Sequence, residues 1–392
     1  MRELIGMFSD KETLDELGIG RVRDAFSDLL FPGTSTLQTR ARYLVVVPWC
    51  YQAAERKRRS GAKLTNQVAE NERVVIGALK KAGATEGLIG RVAGVAVKTL
   101  PSTIYWTALA RYGIRRGDEG TSWLATEATG NTEADELAER SPGMWHPTVP
   151  PVPTGFPWEL PGGLDLSESE ARWLRDRMLA GASGSLLAHL LGHGQRPVPD
   201  STGPWDDPVA SGVDGKPAEI LHHADLFSLA IEGATLLYQL LVAERYESEG
   251  LTKIEDPVDQ QRQRLARWAD DVEHRAADLS GWTRNGMWRV VAEENPNIDA
   301  NPVLRRFVDT WIVAFVGGAA RSLADDNRLR ELIAWREKAL KRAQSRLVND
   351  RMLRGWTGGS AYPRLVFRWP NVRRLVTDIH DGLDRGTADA PA

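Results

Sequence analysis

This sequence predicts a mainly α-helical chain, two helical domains joined by a proline-rich strap, and three observations carry the prediction. Apolar residues recur at three- and four-residue steps along most of the chain, as one face of a helix requires. Seven prolines crowd between Pro142 and Pro161, where no periodic apolar face survives. Only one short run, Leu365 to Trp369, has a β-like composition. The expected division is an N-terminal helical domain over 1–116, the strap over 117–165, and a C-terminal helical domain over 166–392 with a basic last third.

In the first domain, Ile19, Val22, Phe26 and Leu29/Leu30 fall at helical spacing and Phe31-Pro32-Gly33 stops that helix. Thr34, Ser35 or Thr36 can cap the next helix. A helix over 71–81 closes at Gly83, a short one is expected over 92–100, and Pro101-Ser102-Thr103 opens another through Tyr112 with Gly113 past its end. This order fits a helix-turn-helix variant and equally a small helical bundle. In the strap, Trp145, Phe156 and Trp158 predict a segment laid against a domain rather than a free tether.

The second domain opens with Ser167 and Glu170, a capping-box pair for a helix through Leu179. A Gly/Pro loop over 192–217 precedes a long apolar helix over 218–246, the central strut. Helices are expected over 256–279, 302–319 and 325–354, then the β-like run, then a Pro370-initiated helix to about Leu383.

At 392 residues, 42% apolar and 26% charged, the chain has the composition of a folded globular protein, not a disordered one. The single cysteine, Cys50, sits between Trp49 and Tyr51 on an apolar run and reads as core. The first residues lack the charged flank and apolar centre of a signal peptide, and the runs 43–49 and 311–320 are too short to cross a bilayer, so a cytoplasmic address without membrane contact is expected. The net charge of −3 conceals an uneven distribution. Residues 1–113 hold 17 basic and 11 acidic groups, 114–260 hold 10 and 25, and 261–392 hold 23 and 17. Polyanion contact must therefore use local patches on the ends. Alternatively, the acidic middle faces those ends within the molecule.

Two basic constellations stand out. Arg21 and Arg23 precede, and Arg40 and Arg42 come after, the Gly33-Thr34-Ser35-Thr36 turn. Hydroxyls and N–H groups at a helix start with guanidinium groups nearby suit a phosphate or carboxylate, or Arg21 or Arg40 pairs with Asp24 or Asp28 in a buried network. Between Arg336 and Arg374 lie eleven Lys/Arg against Glu337 and Asp350 alone. There Lys338, Arg342 and Arg346 would form a basic stripe about 12 Å long on a continuous helix. Arg354, Trp356, Tyr362, Phe367, Arg368, Trp369 and Arg373 lie beside it, near the Gly358-Gly359-Ser360 turn. Arginines hold phosphates and aromatic faces stack on bases; docking of the same face on the acidic middle is the other reading.

Metal signatures are incomplete. His189 and His193 are half of a zinc-binding helix, but Leu190 stands where a zincin carries Glu. His222, Asp225 and Glu232 share a helical face and suit a metal or arginine partners. Trp205-Asp206-Asp207-Pro208 reads as turn chemistry. No metal or cofactor is expected.

The run ELGIGRVRDAFSDLLFPGTSTLQTRARYLVVVPW from Glu16 to Trp49, LPSTIYWTALARYGI from Leu100 and FRWPNVRRLVTDIHDGL from Phe367 resemble an uncharacterised family of bacterial proteins of about 400 residues, a domain of unknown function. The resemblance implies a setting beside helicases and phospholipase-D-like nucleases in anti-phage defence islands, and supplies no catalytic residues. The expectation is then a non-catalytic component of a nucleic-acid-directed bacterial system. Arg21, Arg23, Arg40, Arg42, Lys338, Arg342, Arg346, Arg354, Trp356, Arg368 and Arg373 would contact DNA or RNA backbone, while the acidic middle and a Trp-rich surface dock a protein such as a helicase or nuclease. Two alternatives stay open: a metal-dependent enzyme on His222, Asp225 and Glu232 or on the arginine loop, and a protein-binding scaffold with its charges satisfied internally.

Overall fold

The structure is a computed structural model that describes residues 16–57, 61–116, 143–359 and 364–388. Residues 117–142 of the expected strap, Ser360 and Tyr362 lie outside the described residues. The fold is mainly helical. In chain order the first helices are α1 (Gly20–Leu30), α2 (Tyr43–Glu55), α3 (Gly61–Lys81), α4 (Pro101–Arg111), α5 (Glu168–Gly181), α6 (Leu186–Gly192) and α7 (Pro208–Ser211). Then come α8 (Gly215–Ser248), α9 (Pro257–His274), α10 (Ala276–Ser280) and α11 (Arg284–Glu294). The last are α12 (Pro302–Val316), α13 (Asn327–Lys341), α14 (Asp350–Arg354) and α15 (Trp369–Ala388).

Two compact units form, each discontinuous in sequence: Leu30–Ala218 with Arg368–Ala392, and Met1–Leu29 with Glu219–Phe367. The expected boundaries at 116 and 166 do not coincide with these divisions, because α15 at the end of the chain packs on α5 and α6 while residues near 20 pack with the helices after 219.

In the unit built from 30–218 and 368–392, α2 is buried from Tyr43 to Tyr51 and packs on α3 and α4. Helix α5 starts as expected: Ser167 Oγ accepts from the Glu170 N–H while the Glu170 carboxylate accepts from the Ser167 N–H, a complete capping box. Trp369, fully buried at the start of α15, donates its indole N–H to Ser201 Oγ at 3.0 Å. The helix expected over 92–100 is only a 3-10 turn, Gly94–Ala96, with Gly90 before it and Gly94 at its start in left-handed backbone. The expected order of helix, short helix and Pro101-initiated helix therefore lacks its middle α-helix. Tyr105, on the Pro101-initiated helix, is buried with its hydroxyl bound to the backbone at Thr39 and Arg40.

In the other unit, α8 is the strut, buried along most of its length from Ile220 to Tyr246. By length and composition it could cross a membrane, but 83% of its most apolar window is buried inside the protein. Tryptophans anchor to it: Trp268 donates to the Leu229 carbonyl at 2.9 Å, Trp311 to the Ala230 carbonyl at 2.7 Å and Trp356 to Gln239 Oε1 at 2.8 Å. Gly233 lets the Trp268 ring lie against the helix, since a Cβ there would sit 2.2 Å from it. The expected Trp-rich docking surface is thus mostly core, with Trp158 and Trp335 the large exposed indoles among the described residues.

Two expectations for this unit are corrected. Residues 325–354 are not one helix: α13 ends at Lys341, Arg342 has φ +50°, and α14 is a separate turn. The Glu337 carboxylate pulls the chain back, accepting from Ser345 Oγ and, at 2.8 Å, from the Arg346 N–H. Nor is 365–369 a strand. The Leu365 carbonyl accepts from Ser228 Oγ on α8, and Phe367 and Arg368 take positive φ before α15 begins. The described residues contain no sheet, only an isolated bridge between Arg115 and Trp145.

Candidate functional site

The opening arginine block is a structural network. Its loop closes on itself: Thr34 Oγ1 donates to the Phe31 carbonyl at 2.7 Å, Gly33 takes φ +81°, and Tyr112 donates to the Pro32 carbonyl at 2.9 Å. Arg42, 5% exposed, forms a bidentate pair with Glu170 at 2.9 and 3.0 Å and donates to the Pro161 and Gly163 carbonyls at 2.7 Å each. Arg40 pairs with Asp378 at 3.0 Å and Asp165 at 2.8 Å, and the Ala41 N–H also donates to Asp378. The ion-pair reading is therefore what these two arginines show, with partners other than Asp24 and Asp28. Arg23 pairs with Asp24 at 2.9 Å, while Arg21 is exposed.

The basic segment after 336 splits into tied and free cations. Arg336 is buried, donating to the Leu17 and Gly18 carbonyls, and Arg346 turns inward to Glu16 and Tyr238. Because α13 ends at Lys341, Lys338, Arg342 and Arg346 do not form one helical stripe. Trp356 is 5% exposed and cannot stack on a base. Arg368 donates to the Thr34 carbonyl and Arg373 to the Ser201 carbonyl, each at 2.7 Å. Lys338, Arg342, Arg351 and Arg354 are exposed, and no ion pair among the described residues uses them. The acids interleaved with them are occupied elsewhere: Glu337 is fully buried and Asp350 pairs with Arg245 at 2.6 Å.

Of the groups weighed for a metal, Asp225, His189 and Asp207 are held by other partners, and His222 is exposed. Asp225 pairs with Arg275 at 2.6 Å and Arg364 at 2.5 Å. Burial pushes the Glu232 carboxyl up to about 7. His189 bonds the Val209 carbonyl at 2.9 Å, and Asp207 caps α7 through the Val209 and Ala210 N–H groups. Burial also drives the Cys50 thiol up, away from nucleophilic character. Among the described residues no three His, Cys, Asp or Glu side chains group as metal ligands.

One feature escaped sequence reasoning. A cavity of about 590 Å³, open to solvent, is lined by Arg284 at the start of α11 and by Arg305, Arg306, Asp309, Thr310 and Val313 of α12. The legible signal was the outer stripe of α12, Val303, Arg306, Thr310 and Val313, at helical spacing opposite the core stripe.

These features define a helical protein of two units with exposed basic side chains in the unit that contains α13 and α14. Residues 1–382 match the family of unknown function DUF6361, and the chain belongs to that family. No curated protein and no solved structure matches it.

Proposed function

We propose that this protein is a non-catalytic component of a nucleic-acid-directed bacterial system, anti-phage defence being the setting its family resemblance implies. It would contact phosphate backbone and dock a protein partner such as a helicase or nuclease. The observation that carries the reading is the set of free cations between 338 and 354. Lys338, Arg342, Arg351 and Arg354 stay exposed while the nearby Glu337 and Asp350 are used inside the fold. Such charges bind phosphates without reading bases.

Arg40, Arg42, Arg346, Arg368, Arg373 and Trp356 leave the contact set, since their polar groups serve the fold. Arg21 remains in it. The test is fluorescence anisotropy of the full-length protein with labelled single-stranded and duplex DNA. Combined Lys338→Glu, Arg342→Glu and Arg354→Glu changes are expected to weaken binding by at least about tenfold, with circular dichroism unchanged. Unaltered affinity in the triple variant would remove this surface from the account.

A further inference from the structure

Helix α12 turns a core stripe one way and a mixed stripe the other. Leu304, Phe307, Val308, Trp311, Ile312 and Phe315 are buried. Opposite them Val303 is 45% and Val313 53% exposed, with Arg306 and Thr310 between, and Val316 at 37% continues the face. The 590 Å³ cavity adjoins a second of about 470 Å³ along the same helix, and Arg284 and Val313 line both. Together they make an open groove along most of α12, roughly 20 Å at 1.5 Å per residue.

Among the residues that line it the charge is one-sided: Arg284, Arg305 and Arg306 meet Asp309. Asp309 accepts from the Trp288 indole N–H at 2.8 Å and lies 4.0 Å from Arg284 and 3.9 Å from Arg305. Arg305 also stacks over the Trp288 ring at 5.1 Å. These contacts hold Asp309 and Arg305 in place, while Arg306 is exposed with no ion-pair partner among the described residues. The groove therefore offers net positive charge among its lining residues with Val313 and Val316 beside it. Phosphate backbone has nothing apolar to set against those valines, whereas an amphipathic peptide has both chemistries.

We infer that this groove docks an acidic amphipathic segment of a partner protein. Its apolar side chains cover Val313 and Val316, and its carboxylates reach Arg306 and Arg284. This deepens the docking half of the proposed function and rests on it, but uses residues separate from the phosphate contacts.

The experiment pans a display library of random peptides, roughly 16 residues long to match the groove, against the full-length protein. Enriched peptides are then remeasured by anisotropy against wild type, Arg306→Glu and Val313→Asp. The inference expects enrichment of Asp and Glu interleaved with aliphatic or aromatic residues, binding at least about tenfold weaker in each variant, and no displacement by a single-stranded oligonucleotide. No enrichment, no acidic bias, unchanged affinity in both variants, or displacement by the oligonucleotide would overturn it. DNA binding is measured in parallel: its loss in the Lys338/Arg342/Arg354 variant with peptide binding intact separates the two surfaces. Both altered side chains are exposed, and matching thermal midpoints confirm that the variants fold.

Discussion

Arg42 makes four hydrogen bonds that lysine could not reproduce. Its fork spans both Glu170 oxygens and still reaches the Pro161 and Gly163 carbonyls. Removing it strands a buried carboxylate that also caps α5, so Arg42→Ala is expected to cost about 3–5 kcal/mol in denaturant unfolding, and Arg42→Lys a substantial part of that. A cost below about 1 kcal/mol would show that the network is not structural.

Glu72 gives a pH-dependent counterpart. Burial pushes its carboxyl up to about 7 although Ser102 donates to it through both N–H and hydroxyl. The native state therefore holds a proton that the unfolded chain releases near 4.5, so this contribution is full below 4.5 and lost as pH rises through 7. Glu72→Gln, which can keep both Ser102 bonds, should gain thermal midpoint relative to wild type between about pH 5 and pH 8. His223 works in the opposite sense. Burial lowers it to about 4, so its contribution is present above 6.5 and lost as pH falls through 4. At this scale the sequence marked Arg40 and Arg42 as specified but could not name Asp165, Glu170 and Asp378, which local spacing does not reach.

Elements with local stop and start chemistry were legible. Ser167 and Glu170 cap α5, Pro101 and Pro302 stand at first helical positions, and Gly113 takes φ +64° just beyond α4. Ser167→Ala should cost about 1 kcal/mol in the unfolding free energy, the usual value of such a cap. Elements overridden by tertiary contacts were not legible. Nothing in Lys341-Arg342-Ala343 breaks a helix, and the break comes from Glu337 holding Ser345 and Arg346. Residues 365–369 have strand composition, but the Leu365 carbonyl is taken by the Ser228 hydroxyl of α8. The exposed face of α12 carries no periodic signal as strong as the apolar stripe of its core side.

Across the molecule, several acids from the middle of the sequence are used in ion pairs inside each unit. Asp165 and Glu170 answer Arg40 and Arg42 in one, and Asp225 and Glu244 answer Arg275, Arg364 and Arg330 in the other. What remains free determines what the protein can attract, and between 338 and 354 that remainder is cationic. The most direct measurement is the salt dependence of duplex DNA binding. Five contacting cations, Arg21, Lys338, Arg342, Arg351 and Arg354, predict a slope of log K against log salt of roughly −4 to −5, falling to about −2 or to no binding when Lys338, Arg342 and Arg354 are reversed to Glu. No affinity at low salt, or a slope that the triple variant leaves unchanged, would contradict the account.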